Sequence, residues 1–280
     1  MITQKARKTI DRALTNLILI FISFLMIYPV AYALMTSFKT QGAVVTLPPS
    51  FFPKTWSLVG YEAVFHSDMF RVYLPNTAIN AVLSSLLTVP LAGLAGYAFS
   101  RYKFRGSKAL QLVILGLMMI PGLTNLVALY RIGSELKILS THMIMVLVYI
   151  GGGLPFTLWI IKAFFDAIPK EMEEAALIDG CSPLQALRYV VVPLALPGLF
   201  AGFLMMMVDT WNEFLAAVVL LSANSARTAT VGLYDFQSAF EIAYNVLCAA
   251  CIIIMLPIVI TFILGRKTFF QAMLEGALKG

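Results

Sequence analysis

The sequence predicts an all-α membrane protein with six transmembrane helices, and three observations carry that reading. The chain of 280 residues is 60% hydrophobic and only 12% charged, whereas a soluble domain carries about 25% charged residues. Its mean hydropathy is +0.87, so a water-soluble enzyme is excluded. Second, charge-free runs long enough to cross roughly 30 Å of hydrocarbon recur along the chain. Third, it lacks the alternating apolar and polar runs of about ten residues that mark a membrane barrel. A helical bundle is then the remaining way to satisfy the backbone in lipid.

The spans are taken between flanking charges. The first, 13–38, follows Lys5, Arg7, Lys8 and Arg12. Ala31-Tyr32-Ala33 resembles a signal-cleavage site, but the apolar run exceeds the core of a signal peptide, about 7–15 residues, and contains Tyr28 and Pro29. It is read as an uncleaved helix. The others lie within 72–100, 109–130, 138–161, about 194–221, and 242–265, and only the fifth is interrupted by acids, Asp209 and Glu213. Possible hinges are Pro90, Pro121-Gly122, Gly151-Gly152-Gly153-Leu154-Pro155 and Pro257, where the helical hydrogen bonds are broken.

Orientation follows from the basic residues. With a cytoplasmic N-terminus, fourteen of the 20 Lys and Arg fall inside: the N-terminal four, then Arg101, Lys103, Arg105, Lys108, Lys162, Lys170, Arg188, Arg266, Lys267 and Lys279. Six fall outside: Lys39, Lys54, Arg71, Arg131, Lys137 and Arg227. Both termini are therefore expected in the cytoplasm, and the net charge of +6 sets topology rather than indicating a nucleic-acid partner. Cys248 and Cys251 sit one helical turn apart in an apolar run, as packed thiols rather than a redox pair, and no Cys/His set has zinc spacing.

Two outer loops have distinct character. Residues 39–74 contain Leu47-Pro48-Pro49-Ser50-Phe51-Phe52-Pro53 and Trp56, suited to a compact, aromatic-anchored segment, and 222–241 are polar. The cytoplasmic loop 166–196 carries folding signals. Pro169 precedes Lys170-Glu171-Met172-Glu173-Glu174-Ala175-Ala176-Leu177-Ile178, strong helix formers with acids in the first turns. Gly180 allows a left-handed turn, and Ser182-Pro183-Leu184-Gln185 reads as an N-cap and capping box. Two short helices joined at Gly180 are expected, the second ending before Pro193.

Glu174-Ala175-Ala176, three residues to Gly180, nine more to Val190, then Val192-Pro193 resembles the EAA signature of ABC importer permeases, with valine at two apolar packing positions. Tyr97-Ala98-Phe99-Ser100-Arg101-Tyr102-Lys103-Phe104-Arg105-Gly106, Trp211-Asn212-Glu213-Phe214 and Gly276-Ala277-Leu278-Lys279-Gly280 extend the likeness to essentially the whole chain, which is similar to MalG-type carbohydrate-uptake permeases. The resemblance implies a type I importer permease fold in one transmembrane domain, 1–280, in a prokaryotic plasma or inner membrane. It implies a second, MalF-like permease, two copies of a cytoplasmic ATPase and an extracytoplasmic solute-binding protein as partners, a sugar as substrate, and lipid around the bundle. It makes Glu174, Ala175, Ala176, Asp179 and Gly180 the ATPase-coupling segment. It places the tail, 266–280, with Gly276, Lys279 and Gly280, against the ATPase pair. ATP and Mg would belong to the partner: the chain has no phosphate loop, and Gly265-Arg266-Lys267-Thr268 has Arg where that motif needs Gly.

Asp209, Trp211, Asn212 and Glu213 are the polar and aromatic groups of the fifth span. Charge at membrane depth is costly and marks a cavity or a subunit contact, so these residues are expected to line a solute path or meet the partner permease. Asp209 and Glu213, four apart, are expected to share a helix face. A phosphorylated polyol such as glycerol phosphate is the alternative substrate. A secondary transporter would leave the folded cytoplasmic loop unexplained, and no inverted repeat is discernible. An intramembrane enzyme would need more than His66 and His142.

Overall fold

The computed structural model describes the backbone of residues 4–237 and 242–277 and the side chains of 12–237 and 242–267. Thirteen α-helices are found among these residues: α1 Gln4–Ser37, α2 Gln41–Val44, α3 Val59–His66, α4 Leu74–Arg101, α5 Ser107–Leu117, α6 Gly122–Glu135, α7 His142–Ala167, α8 Lys170–Ile178, α9 Pro183–Ala186, α10 Val192–Asn212, α11 Leu215–Leu220, α12 Ala229–Gly232 and α13 Tyr244–Ala277. Five stretches are long and apolar enough to cross a membrane: Arg12–Ser37, Met69–Arg101, His142–Ala167, Pro183–Asn212 and Tyr244–Lys267.

The expected third span is broken. Helices α5 and α6 meet at 91° and count as a sixth crossing only if taken together. The break falls at Pro121, whose ring removes a backbone donor and whose extended ψ of 128° ends the helical path. Two other prolines leave their helices continuous. Pro75 and Pro193 each stand just inside a long helix, and each is preceded by one wide turn, Met69–Tyr73 and Leu187–Val191. There Leu74 N–H reaches Met69 C=O, and Val192 N–H reaches Leu187 C=O. The five-residue step makes room for a ring that would otherwise strike the carbonyl four residues back. The second helix of the 166–196 loop therefore runs past Pro193 into the fifth span, instead of stopping there.

The chain divides into two compact units. The first, 1–67 with 233–255, holds α1 to α3 and the start of α13. Its loop is anchored by aromatic contacts as expected: Phe51 lies 5.8 Å from Tyr28 and 6.0 Å from Tyr32, and Phe38 packs against Trp56 and Tyr61. Lys39 is buried, donating to Ser50 C=O beneath the Tyr32 ring. Gly60 lets the backbone of α3 approach Asn245, since a Cβ there would sit 2.9 Å from its carbonyl oxygen.

The second unit, 68–232 with 256–280, is built on α4, α7 and α10. Between helices in lipid there is little hydrophobic drive, so close approach of small residues replaces it. A Cβ on Gly96 of α4 would lie 3.2 Å from the backbone nitrogen of Lys162, and one on Gly202 of α10 would lie 3.2 Å from Ile161 and Thr157. Around these contacts Ala92, Leu158, Ile161, Phe165, Val191 and Ala195 form one buried cluster, and Ile144, Met145, Tyr149, Met206, Ala217 and Leu220 form another.

Candidate functional site

The loop between α7 and α10 supplies the first candidate region. Helix α8 carries Glu171 and Glu173 in its first turn, where acids oppose the positive end of the macrodipole. It ends in a Schellman motif: Gly180 N–H donates to Leu177 C=O at 3.1 Å and Cys181 N–H to Ala176 C=O at 3.0 Å, with Gly180 at φ +91°. Two residues later the capping box is complete, Ser182 N–H donating to Gln185 Oε1 at 2.7 Å while Ser182 Oγ accepts from Gln185 N–H. Local chemistry thus fixes the turn without help from distant residues.

Glu174, Ala175, Asp179 and Gly180 are exposed, whereas Ala176 is buried against its own chain. Of the two alanines, Ala175 alone is turned outward. Ile178 and Leu184 flank the turn at 85% and 71% exposure. Sequence reasoning passed over Glu173. Its carboxylate faces inward, receiving the Tyr97 hydroxyl on Oε1 and Arg101 Nε on Oε2 at 3.0 Å. Glu173 and Ala176 share a face three residues apart, but nothing in the sequence marks that face as the buried one or names the cation that the acid requires.

The second region lies at the end of the fifth span. Asp209 and Glu213 do not share a helix face, because α10 ends at Asn212 and Glu213 adopts an extended conformation, φ −67° and ψ 132°. The chain then restarts as the short helix α11. Glu213 caps it, its carboxylate accepting Ala216 N–H at 2.6 Å, Ala217 N–H at 3.0 Å and the Tyr149 hydroxyl at 3.2 Å. An acid at a helix N-terminus has both the dipole and the free N–H groups in its favour. Trp211 is buried at 2% exposure, so its indole packs within the chain. Asn212 donates to Val208 C=O at 2.8 Å and is exposed.

Asp209, Glu213 and Tyr149 meet in a cavity of about 850 Å³ between the α5–α6 bend and α7. Most of its lining is apolar, with Asn125 as a further polar group and Gly151-Gly152-Gly153 offering bare backbone. An open, polar-tipped cavity of this kind can take a hydroxylated solute or the side chains of a neighbouring helix. His142 lies apart, its Nδ1 2.9 Å from Asn80 Oδ1. In the tail, Gly276 falls in the backbone of α13, while Lys279 and Gly280 lie outside the described residues.

Residues 88–274 match the family described as binding-protein-dependent transport system inner membrane component. The trehalose/maltose transport system permease protein MalG of Thermococcus litoralis is 32% identical over 264 residues, 93% of this chain and 94% of that protein. The sulfoquinovosyl glycerol transport system permease protein SmoH of Agrobacterium fabrum is 32% identical over 254 residues, 91% of this chain and 89% of that protein. In fold, the chain resembles a chain in the crystal structure of a bacterial ABC transporter for import of the acidic polysaccharide alginate. The TM-score is 0.79 at 23% identity, covering 96% of this chain and 99% of that one.

Proposed function

This chain belongs to the family of binding-protein-dependent transport system inner membrane components, and from that premise we propose that it is the permease through which a di- or oligosaccharide enters the cell, driven by ATP hydrolysis in separate subunits. The observation that carries the reading is the α8–α9 turn. It is a rigid, locally specified element with Glu174, Ile178 and Leu184 bare on its outer surface. Exposed apolar groups beside an acid suit a cleft in a cytoplasmic ATPase dimer. Glu174 would meet a cation or backbone N–H there, and Ala175 and Gly180 would permit close approach. Asp179, exposed beside them, completes that edge.

In this reading both termini are cytoplasmic and ATP with Mg is held by the ATPase. A second permease completes the pathway, and a solute-binding protein delivers the sugar from outside. Asp209, in the cavity, and the exposed Asn212 would offer polar heads to sugar hydroxyls, and Glu213 holds the helix break beside them. The relatives named for trehalose/maltose and sulfoquinovosyl glycerol transport support a glycosidic solute over glycerol phosphate.

Reconstitution tests it. The chain with its cognate permease, ATPase and binding protein in proteoliposomes should accumulate labelled trehalose or maltooligosaccharides only when ATP is supplied, and should not accumulate glycerol phosphate. Gly180→Val forces a β-branched residue into a left-handed turn and should abolish that uptake while leaving membrane insertion intact. Uptake without ATP, or full uptake by the variant, would sink the reading.

A further inference from the structure

Helix α8 is held to the rest of the chain in an unusual way. Ala176 is its one buried residue, so apolar packing contributes little to its attachment. Polar contacts on the inward face do that instead. The Arg101 guanidinium donates from Nε to Glu173 at 3.0 Å and from Nη2 to Ile168 C=O at 3.0 Å. One rigid fork thereby grips both the end of α7 and the first turn of α8. Glu173 is occupied on its other oxygen by Tyr97, one turn back on α4. Tyr97 is itself wedged edge-on against Phe165, ring centroids 5.7 Å apart. The ion pair is nearly sealed, at 6% and 13% side-chain exposure.

A buried ion pair is poor evidence of net stability, because desolvation offsets much of the attraction; where such pairs are kept, fixing one register is their best-attested use. Here the register joins an exposed helix to the end of a membrane span. We infer that Tyr97, Arg101 and Glu173 form a positioning clamp that makes α8 and the last turn of α4 move as one body. Force received on the outer face of α8 is then delivered to the second span as well as to the fifth, with which α8 is continuous through the capped turn. The inference rests on the proposed ATPase docking and adds to it the route by which docking moves the bundle.

The experiment uses the full reconstituted complex with Cys181, Cys248 and Cys251 replaced by serine and spin labels at Glu171→Cys and Lys103→Cys, both exposed positions. The clamp predicts the same inter-label distance in nucleotide-free and ATP-trapped states. A shift beyond about 5 Å, one helical turn, overturns it. The double variant Arg101→Met with Glu173→Met keeps bulk while removing the charges. It should still co-elute with the ATPase and hydrolyse ATP, but lose about fivefold or more in solute moved per ATP, the lower end of ordinary coupling between sites. Unchanged stoichiometry overturns the inference. If that variant does not assemble, Tyr97→Phe, which leaves the ion pair in place, decides the matter in the same way by a fall or no fall in solute per ATP. Failure of the unaltered chain to co-elute with any ATPase removes the docking reading and the clamp's role with it, and is told apart by needing no variant.

Discussion

Glu213 shows how one carboxylate can serve structure where spacing had suggested a shared pathway face. It closes the gap between α10 and α11 by accepting two backbone N–H groups and the Tyr149 hydroxyl. Its neighbour Asn212 bonds within its own helix. The two side chains should therefore respond differently to truncation. Glu213→Ala leaves the N–H groups of Ala216 and Ala217 without their side-chain acceptor and should cost about 0.5–2 kcal/mol, the range for a lost capping side chain. Asn212→Ala should leave stability unchanged and act, if at all, on transport. Thermal unfolding in detergent followed by circular dichroism checks the contrast, and Glu213→Gln, which keeps an acceptor oxygen, should recover part of the loss. Equal melting of the two alanine variants would count against a capping role.

At the scale of elements, helices meet where side chains are missing. Gly96 touches the backbone of Lys162 on α7, which cannot rotate aside as a side-chain tip can. Gly96→Leu should separate α4 from α7 at a cost of about 1–3 kcal/mol, typical of an overpacked core. Gly116→Leu on α5, where nothing lies within 4 Å, should be neutral in the same detergent-stability assay. What could be read from sequence divides along this line between local and distant contacts. The Gly180 turn and the Ser182 cap were legible because each is written in a few consecutive residues. The grip of Arg101 on Glu173, 72 residues apart, was not, since nothing in either segment names its partner. The break at Glu213 was hidden for another reason: the apolar run continues to Leu221, and composition cannot distinguish a helix that crosses from one that ends and restarts. Pro193 misled in the opposite direction, because the wide turn ahead of it carries the helix through.

For the molecule as a whole, assembly concerns its exposed apolar surfaces. Residues 12–30 of α1 are exposed throughout, with Ile20 and Met26 at 70% and 73%, a surface that needs lipid or a second permease around it. The other end of the chain is the segment proposed to meet the ATPase. The last span was expected to end near Gly265, yet α13 continues as backbone helix to Ala277, and Gly265 lies against the Phe200 ring, where any side chain would collide. Residues 268–277 thus continue the helix of the last span as a rod rather than forming a separate segment. A rod attached to a span is better placed to reach a subunit beneath the membrane than to lie along the bilayer surface, which would require a bend, and Pro257 is the only proline in the helix, well before that point. Truncation after Lys267 keeps the whole stretch Tyr244–Lys267 that crosses, so insertion should be normal. If the rod docks between the two ATPase subunits, the truncated complex should lose ATPase subunits on size-exclusion chromatography or change its hydrolysis rate several-fold. A truncated complex with unaltered subunit ratio and unaltered rate would instead assign residues 268–280 to the membrane surface.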